Sequence, residues 1–209
     1  MLTVAEAMQQ RRSTRSFIEK PVPDSMIIEM LEAARGAPSA SNSQPWRFVV
    51  VTDSGEKKEL RRLCFGQVFI EQAGVVFVVC ADLSSYSGST YKKRRQEAVD
   101  AGVFPASALN DPLFQRITDS ADFVPEMHVT PATANTFIAT EHIVLMATAL
   151  GLGTCWVGAI SDREAVKKLL GIPKEILLLG LVAVGYASGT PPYRPKLPME
   201  DILLRPFPG

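Results

Sequence analysis

Residues 135–160 read NTFIATEHIVLMATALGLGTCWVGAI, and the order of events within them decides the fold class. Residues 135–150 are rich in helix formers and apolar almost all round, which predicts a helix buried in a core or a subunit interface. Gly151 and Gly153 then read as a helix C-terminus, and residues 154–160 (TCWVGAI) read as a strand. A dinucleotide fingerprint needs its glycines to follow a strand and open a helix. Here they follow a helix and lead into a strand, so a Rossmann site is excluded.

Working outward, Ser161-Asp162-Arg163-Glu164 has the form of a capping box for a helix ending near Gly171-Ile172-Pro173, and residues 177–186 form a last apolar strand. Upstream, residues 47–52 (RFVVVT) and 74–80 (GVVFVVC) are short, β-branched apolar runs, as expected of strands buried on both faces. Residues 56–63 between them have helical composition. Ile27, Met30, Leu31 and Ala34 follow helical spacing, with Asp24 as the candidate N-cap and Gly36 as the stop. This alternation predicts an α/β or α+β sandwich around a largely buried sheet.

The 209 residues fit a single domain, and no internal repeat interrupts them. Residues 84–133 mix serines, tyrosines, prolines and a KKRR run at 92–95, which predicts a cover or lid with a solvated basic face. The proline-rich tail, residues 189–209, is expected to run extended, across a partner subunit. Lys plus Arg and Asp plus Glu each total 22, so no general field draws the chain to nucleic acid or an anionic membrane. Cys64, Cys80 and Cys155 lack CxxC spacing, which argues against zinc ribbons and disulfides and suits a reducing cytoplasm. No stretch has signal-peptide form, and the apolar run 176–187 is too short to span a bilayer. A soluble, cytoplasmic protein is the expectation. His128 and His142 have no carboxylate or cysteine at ligand spacing, so no metal site is expected.

Three segments carry candidate chemistry. Arg11, Arg12, Ser13 and Arg15 lie in one short stretch and could hold a phosphate dianion through charged, bidentate hydrogen bonds, or could be the solvated end of a first helix. Arg194-Pro195-Lys196 offers a second clamp or an ordinary tail. Residues 37–46 (APSASNSQPW) supply small side chains for close approach to a planar ligand, with Ser39, Asn42 and Gln44 as directional groups, or form a capped connector.

Taken in order, RRSTRSF (11–17), APSASNSQPWRF (37–48), GLGTCWVG (151–158), VGY (184–186) and RPK (194–196) resemble the nitroreductase-like flavoproteins over nearly the whole chain except residues 84–133. The resemblance implies an α+β fold, a mixed five-stranded sheet between helices, with a C-terminal extension exchanged across a homodimer. It implies FMN at the subunit interface, its phosphate and adjoining ribityl and pyrimidine edge met by Arg11, Arg12, Ser13 and Arg15 and closed over by Arg194 and Lys196. Pro38, Ser39, Ala40, Ser41 and Asn42 would come from the second subunit, with Gln44 near the flavin. Trp156, Val157 and Gly158 would approach the ring near N5, and Gln67 would add a polar contact. The implied reaction takes hydride from NAD(P)H to a nitroaromatic, quinone or similar acceptor, with no acid–base residue required of the protein. Oxygen-dependent flavin cleavage and FMN storage or sensing are the alternatives on the same scaffold. Tyr86, Tyr91 and Phe123 are candidates to stack on an aromatic acceptor or to pack the lid.

Overall fold

Val75, Phe77 and Val79 alternate with Val76, Val78 and Cys80, and this two-residue period splits the core into two filled layers. The computed structural model describes residues 2–112, 115 and 125–205. Its elements are α1 (Val4–Gln10), β1 (Phe17–Ile18), α2 (Asp24–Arg35), a 3-10 turn (Ala40–Asn42), β2 (Trp46–Val51), α3 (Ser54–Leu63), α4 (Phe69–Gln72) and β3 (Val75–Asp82). A 3-10 turn (Leu83–Tyr86), α5 (Gly88–Asp100), a further 3-10 turn (Ala106–Asn110), α6 (Pro125–Ala149), β4 (Gly153–Val157), α7 (Arg163–Leu169), β5 (Ile176–Ala187) and α8 (Met199–Ile202) follow.

The five strands run β1-β5-β3-β2, and β4 shares the outer edge of β5 with β1. Among the described residues all four strand pairings are antiparallel, so the sheet is not the mixed one that the resemblance implies; the parallel Ser13–Thr154 bridge lies outside the strands. On one face Leu60, Leu63, Phe69, Ile70 and Val166 from α3, α4 and α7 cover Val76, Val78 and Leu181. On the other, Ile27, Met30, Ile143, Val144 and Ala147 from α2 and α6 cover Val75, Phe77 and Val182. The α+β sandwich expected from the sequence is the fold observed.

Several local expectations shift. Asp24 is the first residue of α2 and Pro23 the cap, with no side-chain capping bond. The 46–51 run is an edge strand with Arg47 and Val50 exposed, so it is not buried on both faces as residues 75–81 are. Ser161 does not cap α7, because its hydroxyl and backbone N–H both donate to the Leu63 carbonyl (2.8 and 2.9 Å). Asp162 caps instead, accepting from the Ala165 N–H at 2.8 Å. The buried stripe of α6 is Ala132, Asn135, Thr136, Ala139, Thr140, Ile143, Val144, Ala147 and Thr148, which leaves Phe137 and Ile138 exposed. Its apolar character therefore faces both the core and solvent.

The cover is largely helical. Lys92 and Lys93 of the KKRR run are exposed, whereas Arg94 pairs with Glu97 at 2.7 Å and Arg95 lies 4.4 Å from the Phe104 ring centroid, so only half of the run is a solvated face. Tyr86 is buried, stacked on His128 (5.5 Å) and edge-on to Tyr91 (6.2 Å), a packing role. Phe123 lies outside the described residues. The His142 ring Nδ1 hydrogen-bonds the Ala33 carbonyl at 3.0 Å, tying α6 to α2.

All three cysteines are free and buried. Burial pushes the Cys64 and Cys80 thiols up to about 11, and it raises Cys155 as well. At pH 8 an aromatic disulfide reagent is therefore expected to label none of them until denaturant is added; rapid labelling of the native protein would contradict their burial. Because the folded values lie above the ordinary 9.0, this contribution to stability is complete below pH 9 and is lost as pH rises through about 11.

Candidate functional site

The junction between α6 and β4 seats the first arginine segment. Gly151 adopts φ +79°, the left-handed conformation that ends a helix at low cost in glycine. Gly153 has a different role from the helix stop expected of it. A Cβ there would lie 2.5 Å from Thr14 Oγ1 and 2.9 Å from Thr14 Cβ, so the buried Thr14 can sit on β4 only because residue 153 has no side chain. The Thr14 N–H donates to the Thr154 carbonyl at 2.8 Å, and residues 11–15 are thereby laid along the open edge of β4.

Arg11, Arg12 and Ser13 are half-buried on this edge and Arg15 is exposed. Arg12 Nη1 donates to the Gln9 and Arg11 carbonyls (2.6 and 2.8 Å), which fixes its guanidinium 5.1 Å from the ring centroid of Tyr193. Tyr193 precedes Arg194, so this contact brings the tail to the first arginine segment. Upstream the two ends are also tied by Ser188 and Ser16, Oγ to Oγ at 2.6 Å. Arg194 and Lys196 are exposed. Among the described residues, none of Arg11, Arg12, Arg15, Arg194 and Lys196 is paired with a carboxylate.

At the end of β4, Val157 is buried while Trp156 and Gly158, the residue after the strand, are exposed, and Trp156 meets Phe137 of α6 edge-on at 5.3 Å. Nothing lies within 4 Å of the position a Gly158 Cβ would take, so a flat ligand has room against this backbone. The arrangement can hold an anion at one end and a planar group at the other.

The loop at residues 38–44 is strained. Ser41, Asn42 and Gln44 have φ of 52°, 52° and 48°, a conformation that costs non-glycine residues of order 1–3 kcal/mol each. It is held by the Gln44 N–H on Ser39 Oγ (3.0 Å), by Gln44 Nε2 on the Asn42 carbonyl (3.2 Å), and by the Ala40 N–H on Asn135 Oδ1 (3.1 Å). Its crest, Pro38, Ala40, Ser41 and Asn42, is exposed, and Ser39 and Gln44 are half-buried. This loop is fastened to α6, not to the arginine segments. Gln67 spends its amide locally, donating to the Cys64 carbonyl at 2.9 Å.

The structure therefore lays residues 13 and 14 on β4, the strand that leads to 156–158, ties Arg12 to the tail at Tyr193, and fastens the 38–44 loop to α6 instead. Four contributions were missed in the sequence. Tyr193 was signalled by an aromatic beside the RPK cations and Asn135 by an amide in an apolar helix, but Gly153 and Thr14 reveal each other only in space. Among the described residues no cluster of His, Cys, Asp and Glu could hold a metal ion, and no helix is long and apolar enough to cross a membrane.

The comparisons with known proteins agree with the fold. Over 207 residues the chain is 35% identical to an NADH dehydrogenase of Thermus thermophilus, covering 98% of this chain and 96% of the relative. It is 28% identical to an FMN reductase (NAD(P)H) of Bacillus subtilis, covering 97% of this chain and 73% of the relative. A nitroreductase-like protein of Streptococcus mutans shares its fold with TM-score 0.84 at 22% identity, covering 97% of this chain and 98% of the other. A protein of Exiguobacterium sibiricum, solved in complex with FMN, does so with TM-score 0.83 at 24% identity, covering 97% of each. The profile of the nitroreductase family matches residues 8–186, and the chain belongs to that family.

Proposed function

We propose that this chain is an FMN-dependent oxidoreductase that takes hydride from NAD(P)H and delivers it to a nitroaromatic, quinone or similar small acceptor, acting as a cytoplasmic homodimer. The observation that carries the reading is that Arg12 meets the Tyr193 ring at 5.1 Å, which brings together two segments whose five cations have no carboxylate partner among the described residues. Such a set of cations is complementary to a phosphate dianion. Arg11, Arg12, Ser13, Arg15, Arg194 and Lys196 hold the phosphate, and the backbone at Trp156, Val157 and Gly158 receives the ring. Pro38, Ser39, Ala40, Ser41, Asn42 and Gln44 cover it from the second subunit, and Gln67 turns to it on releasing Cys64. Two features support the dimer: Phe137 and Ile138 exposed on α6, and a tail with Leu197, Met199, Ile202 and Leu204 open to solvent.

When bound, the flavin supplies hydride transfer at N5. The protein's part is to anchor the phosphate, orient the ring against β4, and leave one ring face to donor and acceptor in turn. The test is anaerobic addition of NADH or NADPH to the purified yellow protein. Bleaching, followed by recovery of colour on adding a quinone or nitroaromatic, is expected. A protein that carries no flavin, or whose flavin stays oxidised, would overturn the reading.

Arg194→Ala with Lys196→Ala is expected to weaken FMN retention about tenfold or more while leaving the fold intact, because each lost charged hydrogen bond costs roughly 1.5–3 kcal/mol. Flavin titration and circular dichroism at matched salt measure the two effects. Unchanged FMN affinity would remove the tail from the site.

A further inference from the structure

Asn135 is the one strongly polar side chain on the stripe of α6 that otherwise presents alanine, threonine and aliphatic groups to the core, and it is 8% exposed. Its hydrogen bonds define its orientation without ambiguity. The Ala40 N–H can only donate, so the oxygen of the amide faces it at 3.1 Å. The Pro131 carbonyl can only accept, so the amide nitrogen faces it at 2.7 Å and also donates to Tyr86 Oη at 2.8 Å. One buried amide thus reaches the strained 38–44 loop on one side and the first turn of the cover on the other. Tyr86 is itself held by the His128 stack and the Tyr91 edge, so the cover side of this node is also fixed.

A buried polar group satisfied on every side specifies one arrangement, since any displacement leaves an unpaired donor or acceptor away from water. The loop needs such a tether, because three of its residues sit in a conformation that relaxes if the chain is released. From this we infer that Asn135 and Tyr86 are positioning residues that lock the 38–44 loop to the cover, so that a molecule pushing on the cover moves the loop. The inference rests on the reading above only in that the loop faces the flavin. The lock itself is a property of the protein without cofactor.

Hydrogen exchange at the Ala40 amide tests the lock in the apo protein, and visible circular dichroism of bound FMN tests its reach to the cofactor. Asn135→Ala is expected to speed Ala40 exchange roughly two- to tenfold, the worth of one hydrogen bond, and to alter the flavin bands. Tyr86→Phe, which keeps the ring and its stacking, is expected to do the same to a smaller extent. It should add nothing further when Asn135 is already alanine. Additive effects, or Ala40 exchange unchanged in Tyr86→Phe, would overturn the lock, and Tyr86→Phe keeps the test open if Asn135→Ala does not fold. Melting temperatures lowered with exchange and flavin bands unchanged would mean an ordinary core contact. A protein that binds no FMN would sink the functional reading while leaving the exchange experiment decisive.

Discussion

Riboflavin is expected to bind this protein roughly a hundred- to ten-thousandfold more weakly than FMN. Riboflavin keeps the ring and the ribityl chain but has no phosphate, so in the proposed site Arg11, Arg12, Arg15, Arg194 and Lys196 would lose their anion together. Losing only two charged hydrogen bonds amounts to about 3–6 kcal/mol. The exposure of Arg15, Arg194 and Lys196 moves the expectation toward the lower end, because water screens such contacts. Competitive titration of apo protein with the two flavins, repeated at rising salt, measures the difference; it should narrow as salt rises. Equal affinities would mean that these cations serve some other anion.

Gly153→Ala is expected to cost about 1–3 kcal/mol of stability and to release bound FMN before the fold is lost. The added Cβ would fall 2.5 Å from Thr14 Oγ1 and 2.9 Å from Cγ2, and Thr14 is β-branched, 3% exposed and pinned by its own backbone bond to Thr154. Relief requires residues 11–15 to lift from β4, which moves the arginines. Thr14→Ala removes two of the three close atoms, so the double variant should recover part of the lost stability and FMN affinity. Chemical denaturation and flavin titration of the four proteins form the cycle. A Gly153→Ala protein with wild-type stability and affinity would show that the edge segment moves freely.

What could be read in the sequence was what rests on local pattern. Residues 75–81 were legible because a continuous β-branched run buried on both faces has few alternatives, and Gly151 because a glycine closing a helix has a specific conformational use. Residues 46–51 carry a similar apolar run, yet the strand is an edge. Position within a sheet is decided by what pairs, and the run itself does not say. The first ten residues of α6 were not legible, since they lack an apolar stripe and contain Pro131, which argues locally against a helix. Arg11 to Arg15 and residues 151–158 stood out as motifs, but their junction through Thr14 and Gly153 is a contact between segments far apart in the chain. Asn135 was hidden for the same reason: an amide in an apolar helix announces a partner without naming it.

The pairing of β1 and β4 with β5 sets a timetable for maturation. The arginines at 11–15 leave the ribosome well before β4 and β5, which align them; Ser16 and Ser188 meet across 172 positions. Contacts of such sequence separation form slowly and only after the intervening chain has been ordered. In the proposed site, capture of a phosphate-bearing cofactor therefore waits until β5 has been made and paired. A polypeptide cut before Ile176 keeps every arginine of the first cluster and lacks the frame that makes them one site.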